Sequence, residues 1–182
     1  MKELSLNILD TAKNSVKAEA THVLIELTET EETLKISITD NGFGMKPDFL
    51  ATVTDPFSTT RTTRNVGFGL PFLKLAAEQA GGYLEITSKH RDEYPEAHGT
   101  NTTAFFYKTS IDFTPLGDVV SSIITLIQGS PKIRWVYVHS MPAGTVSLDT
   151  QELTEVLGDV PLDNLEVIAW IREYLIESYQ SI

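Results

Sequence analysis

The chain has 182 residues, 41% of them apolar and 21% charged, a composition that suits a folded domain with or without an appendage and excludes wholesale disorder. It has no cysteine, so disulfides, thiolate metal sites and cysteine nucleophiles are excluded together. Fourteen basic against 25 acidic side chains give a formal charge of −11, which disfavours binding to nucleic-acid phosphates and to an anionic membrane surface.

The first residues, MKELSLNILD, lack a basic segment followed by an apolar core and do not read as a secretory signal. Leu4, Ile8, Thr11, Ser15 and Ala18 recur at helical spacing and predict a helix over residues 3–19. His22–Thr28 and Leu34–Thr39 alternate and predict a hairpin. Asp40–Met45 reads as a glycine loop, Pro47–Val53 as a short helix, and Asp55–Val66 as a polar, threonine-rich connection. Phe68–Ala80 reads as a helix stopped by Gly81 and Gly82. Tyr83–Ser88 and Thr102–Lys108 complete the order as two strands. An α, β, β, α, β, β order predicts an α+β fold with helices on one face of a mostly antiparallel sheet.

Beyond Ser110 the pattern continues with helix Leu116–Ile127, strands Ile133–His139 and Thr145–Leu148, and helices Thr150–Leu157 and Leu162–Tyr179. Asp149 or Thr150 can cap the first of the last two helices, and Pro161 stands at the entrance of the second. Residues 1–109 hold 11 basic and 15 acidic side chains, net −4; residues 110–182 hold 3 and 10, net −7. That shift predicts a first domain over 1–109 and an acidic α/β appendage over 110–182. The uncharged runs Val119–Pro131 and Trp135–Leu148 are too short for a membrane span of roughly 18–20 apolar residues. The expectation is a soluble, cytoplasmic protein without a membrane or nucleic-acid partner.

Two Gly-x-Gly turns, Gly42-Phe43-Gly44 and Gly67-Phe68-Gly69, lie in the first part. A dinucleotide fingerprint needs a third glycine three residues on, where Pro47 and Phe72 stand, and no P-loop pattern occurs. The ordered set is more specific than either turn. It runs Asp10-x-x-x-Asn14-Ser15, Asp40-Asn41-Gly42-Phe43-Gly44-Met45, Asp55-Pro56-Phe57, Gly67-Phe68-Gly69-Leu70, and Gly99-Thr100. In order and spacing this resembles the ATP-binding superfamily of gyrase B, heat-shock chaperones, histidine kinases and MutL. The stretch PFSTTRTTRNVGFGLPFLK is similar to the lid and second glycine box of the histidine kinases.

The resemblance implies ATP with Mg²⁺ as cofactors and gives each box a role. Asn14 would offer an amide oxygen to Mg²⁺, a cation that takes oxygen ligands. Asp10, one turn earlier on the same helix face, stands where gyrase-like members carry a Glu that activates water. The shorter carboxylate argues against efficient hydrolysis, since a base must first reach its target. Asp40 would accept a hydrogen bond from the adenine 6-amino group and reject the oxygen of guanine. Gly42, Gly44 and Met45 would line the base, and Thr100 would reach it through water. Gly67, Phe68, Gly69 and Leu70 open a helix whose free N–H groups suit phosphates. Phe57 of the Asp55-Pro56-Phe57 box would belong to the nucleotide site, and Ser58, Thr59, Thr60, Arg61, Thr62, Thr63 and Arg64 would form a lid, with Arg61 or Arg64 on the γ-phosphate.

His22, His90, His98 and His139 show neither metal-ligand spacing nor a phosphoacceptor context. The sequence as given opens directly on the Asn14 helix, so the expectation is not a complete histidine kinase. Residues 110–182 resemble the C-terminal extension of small stand-alone members of the superfamily. The function implied is a Mg-ATP-binding regulator of a protein partner, with homodimerisation left open. The alternative is an enzyme: a protein serine kinase of the anti-sigma-factor type, or a slow ATPase.

Overall fold

A computed structural model of the chain describes residues 3–55 and 68–182. In chain order the elements are α1 (Leu4–Lys17), β1 (His22–Glu29), β2 (Thr33–Asp40), α2 (Pro47–Leu50), α3 (Gly69–Gln79), β3 (Tyr83–Lys89) and β4 (Gly99–Tyr107). They continue with α4 (Val119–Gly129), β5 (Arg134–Met141), β6 (Gly144–Asp149), α5 (Thr150–Leu157) and α6 (Leu165–Gln180). The expected Phe57, Ser58, Thr59, Thr60, Arg61, Thr62, Thr63, Arg64 and Gly67 contributions lie outside the described residues.

One six-stranded sheet runs in the order β3-β4-β2-β1-β5-β6. Each neighbouring pair is antiparallel except β1–β5, which is parallel. The α+β architecture expected from the sequence is therefore present, with β5 and β6 extending the sheet past the hairpin. The alternation in β1 turns Val23, Ile25 and Leu27 to the core, and that in β2 adds Leu34, Ile36 and Ile38. Leu4, Ile8 and Ala12 of α1, Leu73 and Ala77 of α3, and Ile123 and Ile127 of α4 belong to the same buried cluster.

The chain beyond Ser110 completes α1 as well as the sheet. The first N–H groups of a helix have no partner within it. Here Leu4 N–H donates to the Pro115 carbonyl at 2.9 Å and Ser5 N–H to the Leu116 carbonyl at 2.8 Å. Ser122 Oγ–H then donates to the Ser5 carbonyl at 2.9 Å in the buried α1–α4 contact.

One expected boundary is corrected. Helix α6 begins at Leu165 and not at Leu162, because Asn164 Oδ1 accepts from the N–H groups of Glu166 and Val167 and sets the start. In that helix Leu165 and Trp170 are exposed, and Val167, Ile168, Ile171 and Leu175 are buried. In β5 the buried set is Trp135, Tyr137 and His139, while Val136 and Val138 lie on the other, partly covered face. Of the two candidate caps for α5, Asp149 is the one that accepts from Gln151 N–H.

Candidate nucleotide-binding site

Two adjoining cavities open where the C-terminal end of α1 meets the end of β2 and the start of α3. The first, of about 270 Å³, is lined by Thr11, Asn14, Ile38, Asp40, Gly44, Met45, Leu70 and Thr100 among others. The second, of about 490 Å³, is lined by Asp10, Lys13, Phe68, Gly69 and Phe72. Asn14 and Lys17 line both and so stand at the junction.

Asp40 is the last residue of β2, opposite Val23 of β1 and Thr100 of β4. Its Oδ2 accepts from Ser15 Oγ–H at 2.6 Å and its Oδ1 from Gly42 N–H at 2.9 Å. Both oxygens are thereby oriented, and each keeps a lone pair for a ligand donor. Ile38, Met45, Val53 and Leu70 supply apolar lining to the same cavity.

Several bonds fix the glycine loop against the rest of the site. Phe43 N–H donates to the Ala18 carbonyl at 2.8 Å, and Arg91 N–H to the Phe43 carbonyl at 2.9 Å. His98 Nδ1 lies 2.6 Å from the Gly42 carbonyl oxygen. Met45 N–H donates to Ser88 Oγ at 2.7 Å, and that hydroxyl is 2.8 Å from Thr100 Oγ1 and 3.1 Å from the Gly99 carbonyl. Gly44 has φ +72°, and a Cβ there would stand 2.0 Å from the Lys89 carbonyl oxygen, so the β3 backbone itself requires glycine.

On the far side of Asn14, Asp10 and Gly69 touch across the α1–α3 junction: a Cβ on Gly69 would lie 3.1 Å from the Asp10 Cβ. Phe68 makes no side-chain cap on α3. Phe68 and Gly69, at the start of α3, line the second cavity together with Lys13 and Lys17, a setting that suits phosphate oxygens.

Two observations test the fit of nucleotide and metal. Thr11 is 3% exposed and its hydroxyl has no partner among the described residues, yet it lines the first cavity. A buried hydroxyl without a partner calls for a ligand atom or an ordered water. Among the described residues, no group of three or more His, Cys, Asp or Glu side chains is placed to hold a metal. With Asn14 as protein oxygen donor, Mg²⁺ would take most of its ligands from phosphates and water. The residues present fit a cation that arrives with its nucleotide.

Of the residues expected from the sequence, Asn14, Asp40, Gly44, Met45, Leu70 and Thr100 come together around the first cavity and Asp10, Asn14, Phe68 and Gly69 around the second. Gly42 serves through its backbone, as donor to Asp40 and acceptor for His98. Sequence reasoning missed the roles of Ser15, Ser88, Lys13, Lys17 and His98. The lysines were legible, since Asp10, Lys13, Asn14 and Lys17 fall at i, i+3, i+4 and i+7 on one helical stripe. Ser88 gave no local signal: it meets Thr100 only through the β3–β4 register.

The family model described as histidine kinase-, DNA gyrase B-, and HSP90-like ATPase matches residues 1–110. The sensor histidine kinase ZraS of Escherichia coli K12 is 32% identical over 84 residues, 45% of this chain and 18% of that protein. A putative NtrY-like sensor histidine kinase of Rickettsia bellii is 26% identical over 90 residues, 49% of this chain and 15% of that protein. The chain thus spans less than a fifth of the length of these curated relatives. Among solved structures, the Aquifex aeolicus MutL ATPase domain complexed with ADP superposes with a TM-score of 0.55 at 12% identity, covering 95% of this chain and 88% of that one. The N-terminal domain of a DNA repair protein gives 0.53 at 14% identity, covering 87% and 58%. The solved structures agree with the fold, and the family model covers more than half of the chain: the chain belongs to the histidine kinase-, DNA gyrase B- and HSP90-like ATPase family.

Proposed function

We propose that this protein binds Mg-ATP and Mg-ADP in the paired cavities and that its nucleotide state regulates a protein partner. The observation that carries the reading is Asp40, a carboxylate fixed by Ser15 and Gly42 in a cavity that Ile38, Met45, Val53 and Leu70 also line. Such an acceptor pairs with the adenine 6-amino group and opposes the guanine oxygen. The triphosphate would extend past Asn14 toward Lys13, Lys17 and the start of α3. The lid role read from Ser58, Thr59, Thr60, Arg61, Thr62, Thr63 and Arg64 belongs to the same proposal; trypsin cleavage after Arg61 or Arg64 should then be suppressed by Mg-ATP.

Calorimetric titration with Mg-ATP, Mg-ADP and Mg-GTP tests the reading. Saturable binding of both adenine nucleotides with much weaker GTP binding is expected, and equal affinity for GTP overturns the adenine assignment. A second reading rests on Asp10, which lines the phosphate-side cavity next to Asn14. There it could act as a base for slow ATP hydrolysis or for phosphoryl transfer to a protein serine. Phosphate release by wild type and an Asp10→Ala variant separates the two. Binding without turnover favours the regulator; turnover abolished by Asp10→Ala favours the enzyme.

A further inference from the structure

At the end of the sheet away from Asp40, side chains from both parts of the chain join in one polar cluster. Glu29 closes β1, and Lys108 follows β4. Tyr137 and His139 lie two residues apart on β5, on the same buried face. Tyr179 comes from α6. Lys108 Nζ donates to Glu29 Oε1 at 2.5 Å and to the Thr30 carbonyl at 2.8 Å. His139 Nε2 is 3.1 Å from Glu29 Oε2, and its Nδ1 is 2.7 Å from the Tyr179 hydroxyl. Tyr179 and Tyr137 bond hydroxyl to hydroxyl at 2.5 Å. His139 is 2% exposed.

The chemistry of these groups fixes where the protons sit. An ionised carboxylate only accepts, so His139 Nε2 carries the ring proton that points at Glu29. In a neutral ring Nδ1 is then an acceptor and takes the Tyr179 proton. Tyr179 oxygen in turn accepts from Tyr137. Burial pushes both phenols upward, Tyr179 to about 12, so both hold their protons near neutrality. Every polar group is satisfied, and Lys108 and Glu29 balance in charge.

Adding a proton at Nδ1 breaks this order. The imidazolium must donate toward Tyr179, whose own proton then loses its acceptor. That proton can turn to Tyr137, which strands the Tyr137 proton, or it can leave the cluster. In the first case the stranded proton is on Tyr137, a residue 1% exposed, and carries the cost of a buried unpaired donor. A second cation also appears beside the single carboxylate already held by Lys108. Burial keeps His139 below its ordinary value, and the Lys108 charge acts in the same sense against the pull of Glu29.

We propose that the Tyr137–Tyr179–His139–Glu29–Lys108 chain is an acid-sensitive latch that holds α6 and β5 to the nucleotide-binding part of the sheet. Because the folded value of His139 lies below the unfolded one, its contribution is fully present above the unfolded value of about 6.5 and fades as pH falls through the folded value. The groups facing His139 among the described residues are Glu29, Lys108, Tyr137 and Tyr179.

The test uses the full chain. Nitrogen chemical shifts should report His139 as the neutral Nε2–H tautomer at pH 7.5. Amide exchange in α6, corrected for its intrinsic pH dependence, should accelerate as pH drops below about 6.5, by at most about tenfold per pH unit, the limit for one proton. A His139→Gln variant should lose this acid response. Tyr179→Phe removes the displaced proton and should raise the His139 titration midpoint, so the proposal stays testable even if His139→Gln does not fold. A charged His139 at pH 7.5, corrected α6 exchange that ignores pH, or a Tyr179→Phe chain with an unchanged His139 midpoint each overturns the latch.

Discussion

Asp40 accepts from Ser15 and from Gly42, and in the proposed site it would also keep a lone pair for the base. Asparagine offers one oxygen and one NH₂ in the same space, so one of the two donors loses its acceptor or the ligand meets a donor. Asp40→Asn should lower adenine-nucleotide affinity on the order of 10–100-fold, the range for an unpaired buried polar group. Ser15→Ala removes one support and leaves the acceptor, so a several-fold loss with the adenine-over-guanine preference retained is expected by the same calorimetry. Asn14 tests the metal separately. If its amide ligates Mg²⁺, Asn14→Ala weakens Mg-ATP binding more than metal-free ADP binding. Titrations with and without chelator decide this, and an equal loss in both shows that Asn14 supports the fold of the site only.

At the scale of elements, Ser88 shows what strand register adds. Its hydroxyl links the glycine loop at Met45 to Gly99 and Thr100, joining three segments that are far apart in the chain. Ser88→Ala leaves Met45 N–H unpaired and frees the Thr100 side chain. Nucleotide affinity should fall more than the melting temperature suggests, since losing one such bond costs about 1 kcal/mol of stability. Binding unchanged within error would remove Ser88 from the site. None of this is legible in residues 83–89 alone, which read only as an alternating strand. Legible elements were those whose period is local: α1, the β1–β2 hairpin and α3 fall within a few residues of expectation. In β5 the alternation was visible, but both faces carry apolar or aromatic side chains, so the pattern did not say which faces the helices. Trp135, Tyr137 and His139 turn inward because α4 and α6 cover that side. Asp10 and Asn14 were read from α1 without Lys13 and Lys17, although a helix brings i, i+3, i+4 and i+7 together without help from tertiary structure.

For the molecule as a whole, we propose that residues 110–182 are part of the same cooperative unit as the nucleotide site. Cutting before Ser110 would remove β5 from its seven-residue parallel register with β1 and leave β1 as an open edge. Open edges with unpaired N–H and C=O groups invite association with other chains. The cut would also strip the carbonyl partners of Leu4 and Ser5 from the start of α1, the helix that carries Asp10, Asn14 and Ser15. Ile123, Ile127 and Ile171, each 2% exposed or less, would leave their partners behind uncovered, at roughly 1.5–3 kcal/mol for each large aliphatic side chain returned to water. Against a typical stability of about 5–15 kcal/mol for a whole domain, these losses together are enough to unfold what remains. A chain of residues 1–109 should therefore aggregate or melt far below the full protein, and its ATP affinity should fall with it, because α1 is common to core and site. Differential scanning calorimetry and ATP titration on the two lengths of chain decide the matter. A soluble 1–109 with the full-length melting temperature and undiminished ATP binding would show instead that residues 110–182 form a separate module, placed beside the nucleotide sheet without supporting it.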